Sequence, residues 1–259
     1  MRLTIEGLMT CLDAVGVLTK DMIGKLPAHP TKRFDVRSVS DLKGFTFHHT
    51  GGPGGGSERF EAVAKYHVGP NHMSADGCPG ICYTMGIATD GTVCFFHDFE
   101  VKTWSQGTGN ENYIGVVFLG NFKSKSNPEG VEPTSQQLFS LMALAEFARV
   151  SDFEVTGHFN FGKPACPGET IESVIVAISS HAVPKLNDSL ATLEEVQLTL
   201  IHLGYNVGAS GADGVMGPST RSAISTFQKD HGLDVDGIAG PATKAALLKA
   251  MRPSTVPSS

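Results

Sequence analysis

Two regions of this 259-residue chain carry side chains able to hold a metal ion. The first is Phe47-His48-His49-Thr50, at the end of a strand-like run from Gly44 to Thr50. In an extended strand successive side chains alternate, so Thr46, His48 and Thr50 share one face while Phe45, Phe47 and His49 share the other. Only one of the paired histidines can therefore serve a given site. The second region is the Gly/Pro-rich stretch from Thr156 to Gly168, where His158 and Cys166 stand eight residues apart and backbone turns can bring both to one ion. Two imidazoles and a thiolate leave zinc with an open fourth position. An open site can hold water, lower its pKa toward about 7 and polarise a carbonyl, which are the needs of hydrolysis. Taken alone, the same residues also fit a buried core cysteine near a surface histidine.

The elements that must position these residues interleave over 41–181. Strand-like runs occupy 44–50, 80–90, 91–96 and 113–120. A candidate helix spans Ser57 to His67. A second starts at Ser135 or Thr134 as N-cap, with Leu138, Leu141, Met142, Ala145, Phe147 and Ala148 forming a broad apolar face. This pattern predicts an α/β domain with a mixed central sheet flanked by helices. Residues 1–40 read as an N-terminal extension with irregular helical periodicity (Leu3, Leu8, Leu12, Val15, Leu18, Met22) and no assigned role. Residues 182–188, with Pro184, several polar residues and no periodicity, read as a linker. Beyond it Asp213 to Ile224 recurs as Asp236 to Leu247, 23 residues later and with six identities in twelve positions. Each copy is a Gly-containing turn that delivers Pro to a helix start, so the Asp-Gly turns read as folding devices. With a helix from Leu193 to Leu203 that ends at Gly204, residues 189–251 make a second, small three-helix domain. Residues 252–259 form a tail.

Composition excludes several function classes. The net charge is −6, with 20 Lys and Arg against 26 Asp and Glu, and no run of five or six basic residues tracks a phosphate backbone, so nucleic acid is not a partner. No stretch approaches the roughly 18 apolar residues of a membrane span, which excludes membrane insertion. The N-terminus lacks an apolar h-region, the expectation being synthesis in the cytoplasm without a signal peptide. Five cysteines, an odd number, argue against a disulfide framework. Cys78 and Cys82, with Cys94 on a neighbouring strand, fit a second metal site, a disulfide or three unrelated thiols. The glycine-rich stretch Gly51 to Ser57 lacks the Gly-Lys-Ser/Thr of a phosphate loop and reads as a flexible loop beside the metal. Asp234 to Gly237 is not a calcium loop, because Ala245 stands where a twelfth-position Glu is required.

Four motifs occur in a telling order: Phe47-His48-His49-Thr50; the strand pair Ile81 to Val93 with its Asp90-Gly91 turn; Asn110 to Gly120; and Gly157-His158 through Cys166-Pro167-Gly168. Together, over about 41–180, they resemble the type 2 N-acetylmuramoyl-L-alanine amidases, a family that includes phage lysozyme-like amidases and peptidoglycan recognition proteins. The resemblance implies His48, His158 and Cys166 as zinc ligands and leaves His49 packed or behind a ligand. It also implies that Tyr83, in the strand before the Asp-Gly turn, positions water or hydrogen-bonds the developing oxyanion. Another branch of the family uses a Glu on the strand at 115–120, but Gly115 to Gly120 carries no carboxylate, so the Tyr branch is the better fit. The family often places Lys two residues before the third ligand; here that position is Pro164, and Lys163 either reaches the oxyanion or is a solvated loop charge. A histidine common after the Asp-Gly strand pair is replaced in Trp104-Ser105. Residues 189–251 resemble the helical type 1 peptidoglycan-binding domain, the alternative being a structural helical cap.

The implied activity is zinc-dependent hydrolysis of the amide between N-acetylmuramic acid and L-alanine in bacterial peptidoglycan. The setting implied is host cell lysis by a phage endolysin acting on the cell wall. A cellular wall-recycling amidase and a non-catalytic peptidoglycan receptor are the rival readings.

Overall fold

Near-continuous burial places Gly44–His49 inside a sheet, and both of the strands that flank it come later in the sequence. The computed structural model describes residues 3–70, 74–179, 192–208 and 210–250. The expected linker at 182–188 and tail at 252–259 lie outside the described residues. The chain divides into two compact units, Met1–Ser179 and Ser180–Ser259.

In the first unit, α1 (Ile5–Ala14) starts at Thr4, whose hydroxyl accepts the Gly7 N–H at 3.1 Å. The helical periodicity read through Met22 stops earlier. Gly16 takes φ +83° and the N–H of Val17 bonds back to the Leu12 carbonyl, so the helix turns off and the chain runs on as β1 (Thr19–Asp21). A short strand β2 (Asp35–Val36) comes next, then β3 (Gly44–His49), α2 (Arg59–Val68), β4 (Met85–Ile87), β5 (Val93–Phe95), β6 (Val101–Lys102) and β7 (Tyr113–Phe118). α3 (Ser135–Val150), β8 (Glu154–Gly157) and α4 (Glu169–Ser179) complete the unit. Thr134 is the N-cap of α3 and Gln137 closes a capping box with it.

The main sheet has the order β1-β5-β4-β7-β3-β8, with every pairing parallel except β4 with β5. β2 and β6 form a separate antiparallel ribbon. Helices cover both faces. On one, Phe45 meets Phe147 of α3 at a ring distance of 6.4 Å. On the other, Val117 sits in a core cluster with Phe60 and Ala64 of α2 and with Phe96. Gly86 on β4 is required there, because a Cβ would lie 2.5 Å from the Phe60 ring. This is the mixed α/β sheet flanked by helices that the interleaved pattern predicts.

The second unit holds α5 (Leu193–His202), α6 (Pro218–Asp230) and α7 (Pro241–Ala250). The duplicated turns before α6 and α7 are each locked by a glutamine from the preceding helix. Gln197 Nε2 donates to Asp213 Oδ1 at 2.9 Å and to the Val215 carbonyl and Thr220 Oγ1 at 3.0 Å, while its Oε1 accepts the Gly214 N–H at 2.7 Å. Gln228 repeats the pattern on Asp236, Ile238, Thr243 and Gly237 at 2.7, 3.0, 3.0 and 2.9 Å. Among the described residues no helix is long and apolar enough to cross a membrane.

Candidate metal centre

In parallel strands all carboxyl ends lie on one edge of the sheet, the usual place for a site in an α/β fold. β3 and β8 are parallel neighbours with Phe47 opposite Gly157, so His48 and His158 leave the sheet at the same edge. The loop after β8 then doubles back. A 3-10 turn over His158–Phe161 is capped by Gly162 at φ +86°, the Phe159 N–H bonds the Cys166 carbonyl at 3.0 Å, and the Cys166 N–H bonds the Lys163 carbonyl at 2.9 Å. Cys166 is thereby returned beside His158. One potential ligand atom from each of His48, His158 and Cys166 lies within 4.8 Å of the others, the one such cluster found among the described residues. The imidazole rings of His48 and His158 are 4.5 Å apart, centroid to centroid.

Electrostatics leave the two imidazoles ready to be ligands. Burial, then the neighbouring His158, holds the His48 pKa well below its ordinary value, against the opposing hydrogen bond with Gln106. Burial, then Lys163, lowers His158 to about 4. Both imidazoles are therefore neutral at pH 7 and keep a lone pair for a metal. The Cys166 thiol is pushed up to about 11 by burial, although the His49 backbone N–H and Lys163 pull the other way. Two imidazoles and one thiol, close together and with no carboxylate, fit zinc by ligand type and number.

The other residues singled out from the sequence fall as follows. Tyr83 stands just before β4, half-buried, its ring 5.2 Å from that of His48. Burial, followed by Cys166 and Cys82, raises its hydroxyl pKa far above the usual tyrosine value, so the group stays protonated. Lys163 is exposed, and its charge is felt by both His158 and Cys166. His49 turns its ring away to stack on Phe122 at 5.9 Å and accept the Phe122 N–H on Nδ1 at 3.2 Å. Cys78, Cys82 and Cys94 are buried, and none of them is in a disulfide among the described residues.

Sequence reasoning missed Gln106, which is 1% exposed and has its Oε1 3.2 Å from His48 Nε2. No spacing rule marks it. The nearest signal is the adjacent Trp104-Ser105, where the histidine common in the family is absent.

Fold and donor set together define an α/β domain with a candidate metal centre at the carboxyl ends of parallel strands. A family model described as N-acetylmuramoyl-L-alanine amidase matches residues 38–169, half of the chain, and the protein belongs to that family. A second model, for a peptidoglycan binding domain, matches residues 190–247. No curated protein matches the chain. Among solved structures, Drosophila peptidoglycan recognition protein SD is similar at 19% identity, over 61% of this chain and 93% of that one, with a TM-score of 0.49. Bumblebee PGRP-SA is similar at 18% identity, over 62% and 94%, with a TM-score of 0.49. The endolysin amidase LysCS of Clostridium intestinale is similar at 18% identity, over 58% and 87%, with a TM-score of 0.42.

Proposed function

We propose that the protein hydrolyses the amide between the lactyl group of N-acetylmuramic acid and L-alanine in bacterial peptidoglycan, using zinc held by His48, His158 and Cys166. The observation that carries this reading is the convergence of those three donors at one sheet edge in a chain of the amidase family. Zinc, when bound, supplies Lewis acidity to the scissile carbonyl and to water. The chain's own groups do the rest. His48 and His158, neutral at pH 7, hold their lone pairs without competition from protons. The Tyr83 hydroxyl, kept protonated by burial, hydrogen-bonds the oxygen on which negative charge develops as the carbonyl carbon turns tetrahedral. Lys163 adds positive charge to the same loop and favours that oxyanion. The C–N bond then breaks, the carbonyl carbon keeps the hydroxyl from water, and the L-alanine nitrogen leaves as an amine after taking up a proton.

The second unit holds the enzyme on the wall and raises its local concentration at a polymeric substrate. The setting we propose is lysis of a bacterial host wall by a phage-encoded enzyme. The deciding experiment is mass spectrometry of purified peptidoglycan after incubation with the protein, with and without prior zinc chelation. New free L-alanine amino termini that disappear on chelation are expected. Their absence on walls of several chemotypes would replace this reading with that of a binding receptor, and new reducing sugar ends would mean a different bond.

A further inference from the structure

We infer that Gln106 is a positioning residue that fixes which nitrogen of His48 is free to bind the metal, an inference that rests on the metal reading of the His48, His158 and Cys166 cluster. The side-chain amide of Gln106 has only one orientation that satisfies its neighbours. Its nitrogen faces the Tyr113 carbonyl at 2.8 Å and the Gly109 carbonyl at 3.4 Å, and both of these can only accept. The NH2 end is therefore turned to the carbonyls and Oε1 to His48. Because Oε1 can only accept, His48 must donate to it through a protonated Nε2, and the lone pair is left on Nδ1. The Ser105 hydroxyl donates to the same Oε1 and leaves it no reason to turn away.

The frame around Gln106 is densely hydrogen-bonded. Its backbone N–H and that of Ser105 both donate to Asn110 Oδ1, at 2.9 and 3.0 Å. Arg37, itself 5% exposed, donates from Nη1 to the carbonyls of Asn110 at 2.6 Å and Tyr113 at 2.7 Å, and from Nε to that of Phe99 at 3.0 Å. The Tyr113 carbonyl that orients Gln106 is thus itself held by a buried guanidinium. Space for this loop comes from Gly115 on β7, in register with Thr46 and so on the face that carries His48. A Cβ at 115 would collide with Ser105 Oγ and lie 3.1 Å from Gln106 Oε1. That accounts for a glycine inside an otherwise apolar central strand, where glycine is unfavourable on propensity grounds. A hydrogen bond from the far ring nitrogen to a fixed acceptor is the general device by which a protein sets the tautomer and aim of a histidine ligand.

The test has two parts on the full-length protein. Long-range ¹⁵N–¹H correlation spectra of the metal-free wild type at pH 7 should show His48 with its proton on Nε2; a proton on Nδ1 overturns the inference whatever any variant does. Zinc affinity is then measured by competition with a chromophoric chelator for the wild type, Gln106→Met and Gly115→Ala. Gln106→Met keeps the length of the side chain and removes the acceptor, whereas Gly115→Ala crowds Ser105 and Gln106 and leaves both His48 and Gln106 in the sequence. Each should lose the Nε2–H preference and weaken zinc by about 10- to 100-fold. Wild-type affinity in a folded Gln106→Met overturns the inference. A wild type that binds no zinc would instead defeat the metal reading, and the metal-free spectrum would still decide the orientation of His48.

Discussion

The second unit depends on its glutamine locks, and Gln228→Ala measures how far. Gln228 is 1% exposed. Its amide has two protons for three acceptors, one of them Asp236 Oδ1 at 2.7 Å, so the Ile238 carbonyl and Thr243 Oγ1 share the other. The Asp236 carboxylate lies in solvent and its share is left out of the sum. What remains is one shared donor bond and one accepted bond from the buried Gly237 N–H at 2.9 Å. The shared bond contributes about 0.5–1.5 kcal/mol, and stranding the buried N–H costs about 1–3 kcal/mol, so truncation should cost about 1.5–4.5 kcal/mol. A domain this small rarely has more than about 3–5 kcal/mol in hand. Gln228→Ala should therefore leave α7 largely unprotected in hydrogen exchange followed by mass spectrometry, lower the urea midpoint of the second unit, and leave zinc content unchanged. Wild-type protection across α7 would refute the reasoning, because it would mean that apolar packing alone holds the turn.

Other predictions concern both units. The Asp213 carboxyl is held below the ordinary carboxylate range by the Val215 N–H and then Gln197, and that of Asp236 by Gln228 and then the Ile238 N–H. A depressed folded pKa gives stability that is complete above about pH 5 and fades as the pH falls through about 4, so acid should lower the melting temperature of the second unit. Asp213→Asn/Asp236→Asn should flatten that profile, and an unchanged slope would exclude these carboxyls. His158→Ala or Cys166→Ala should abolish hydrolysis and drop bound zinc well below the wild-type content, while sedimentation with purified wall persists; normal turnover in either variant would remove it from the ligand set. Tyr83→Phe should keep zinc and lose about 10²- to 10³-fold in kcat, with a full rate assigning the oxyanion to other donors.

What the sequence made legible followed from local rules. Alternation put His48 on the face opposite Phe45 and Phe47, and Phe45 does pack under α3 while His48 meets Gln106 and Tyr83. Thr134, one of the two N-cap candidates, does start α3. Pro218 opened α6 as the repeat suggested. What escaped was set by contacts distant in sequence. Thr19-Lys20-Asp21 has no strand pattern and becomes a strand because β5 offers it an edge. Gln106 lies 58 residues from His48, in a loop where no periodicity applies. The two glutamine locks were hidden because the glutamine stands 16 residues before its aspartate in one copy and eight in the other, so comparing the copies does not align them.

The strand β1 bears on how the first unit can be handled. It lies along the outer edge of β5, whose Val93, Cys94 and Phe95 are all fully buried. The edge left to solvent is three residues long and bears Lys20 and Asp21, which discourages pairing with another chain. The amidase match begins at residue 38 and does not include this strand. A fragment cut to the matched boundaries would keep His48, His158 and Cys166 yet bare an apolar β5 edge, and its failure would show as insoluble protein, not as faulty chemistry.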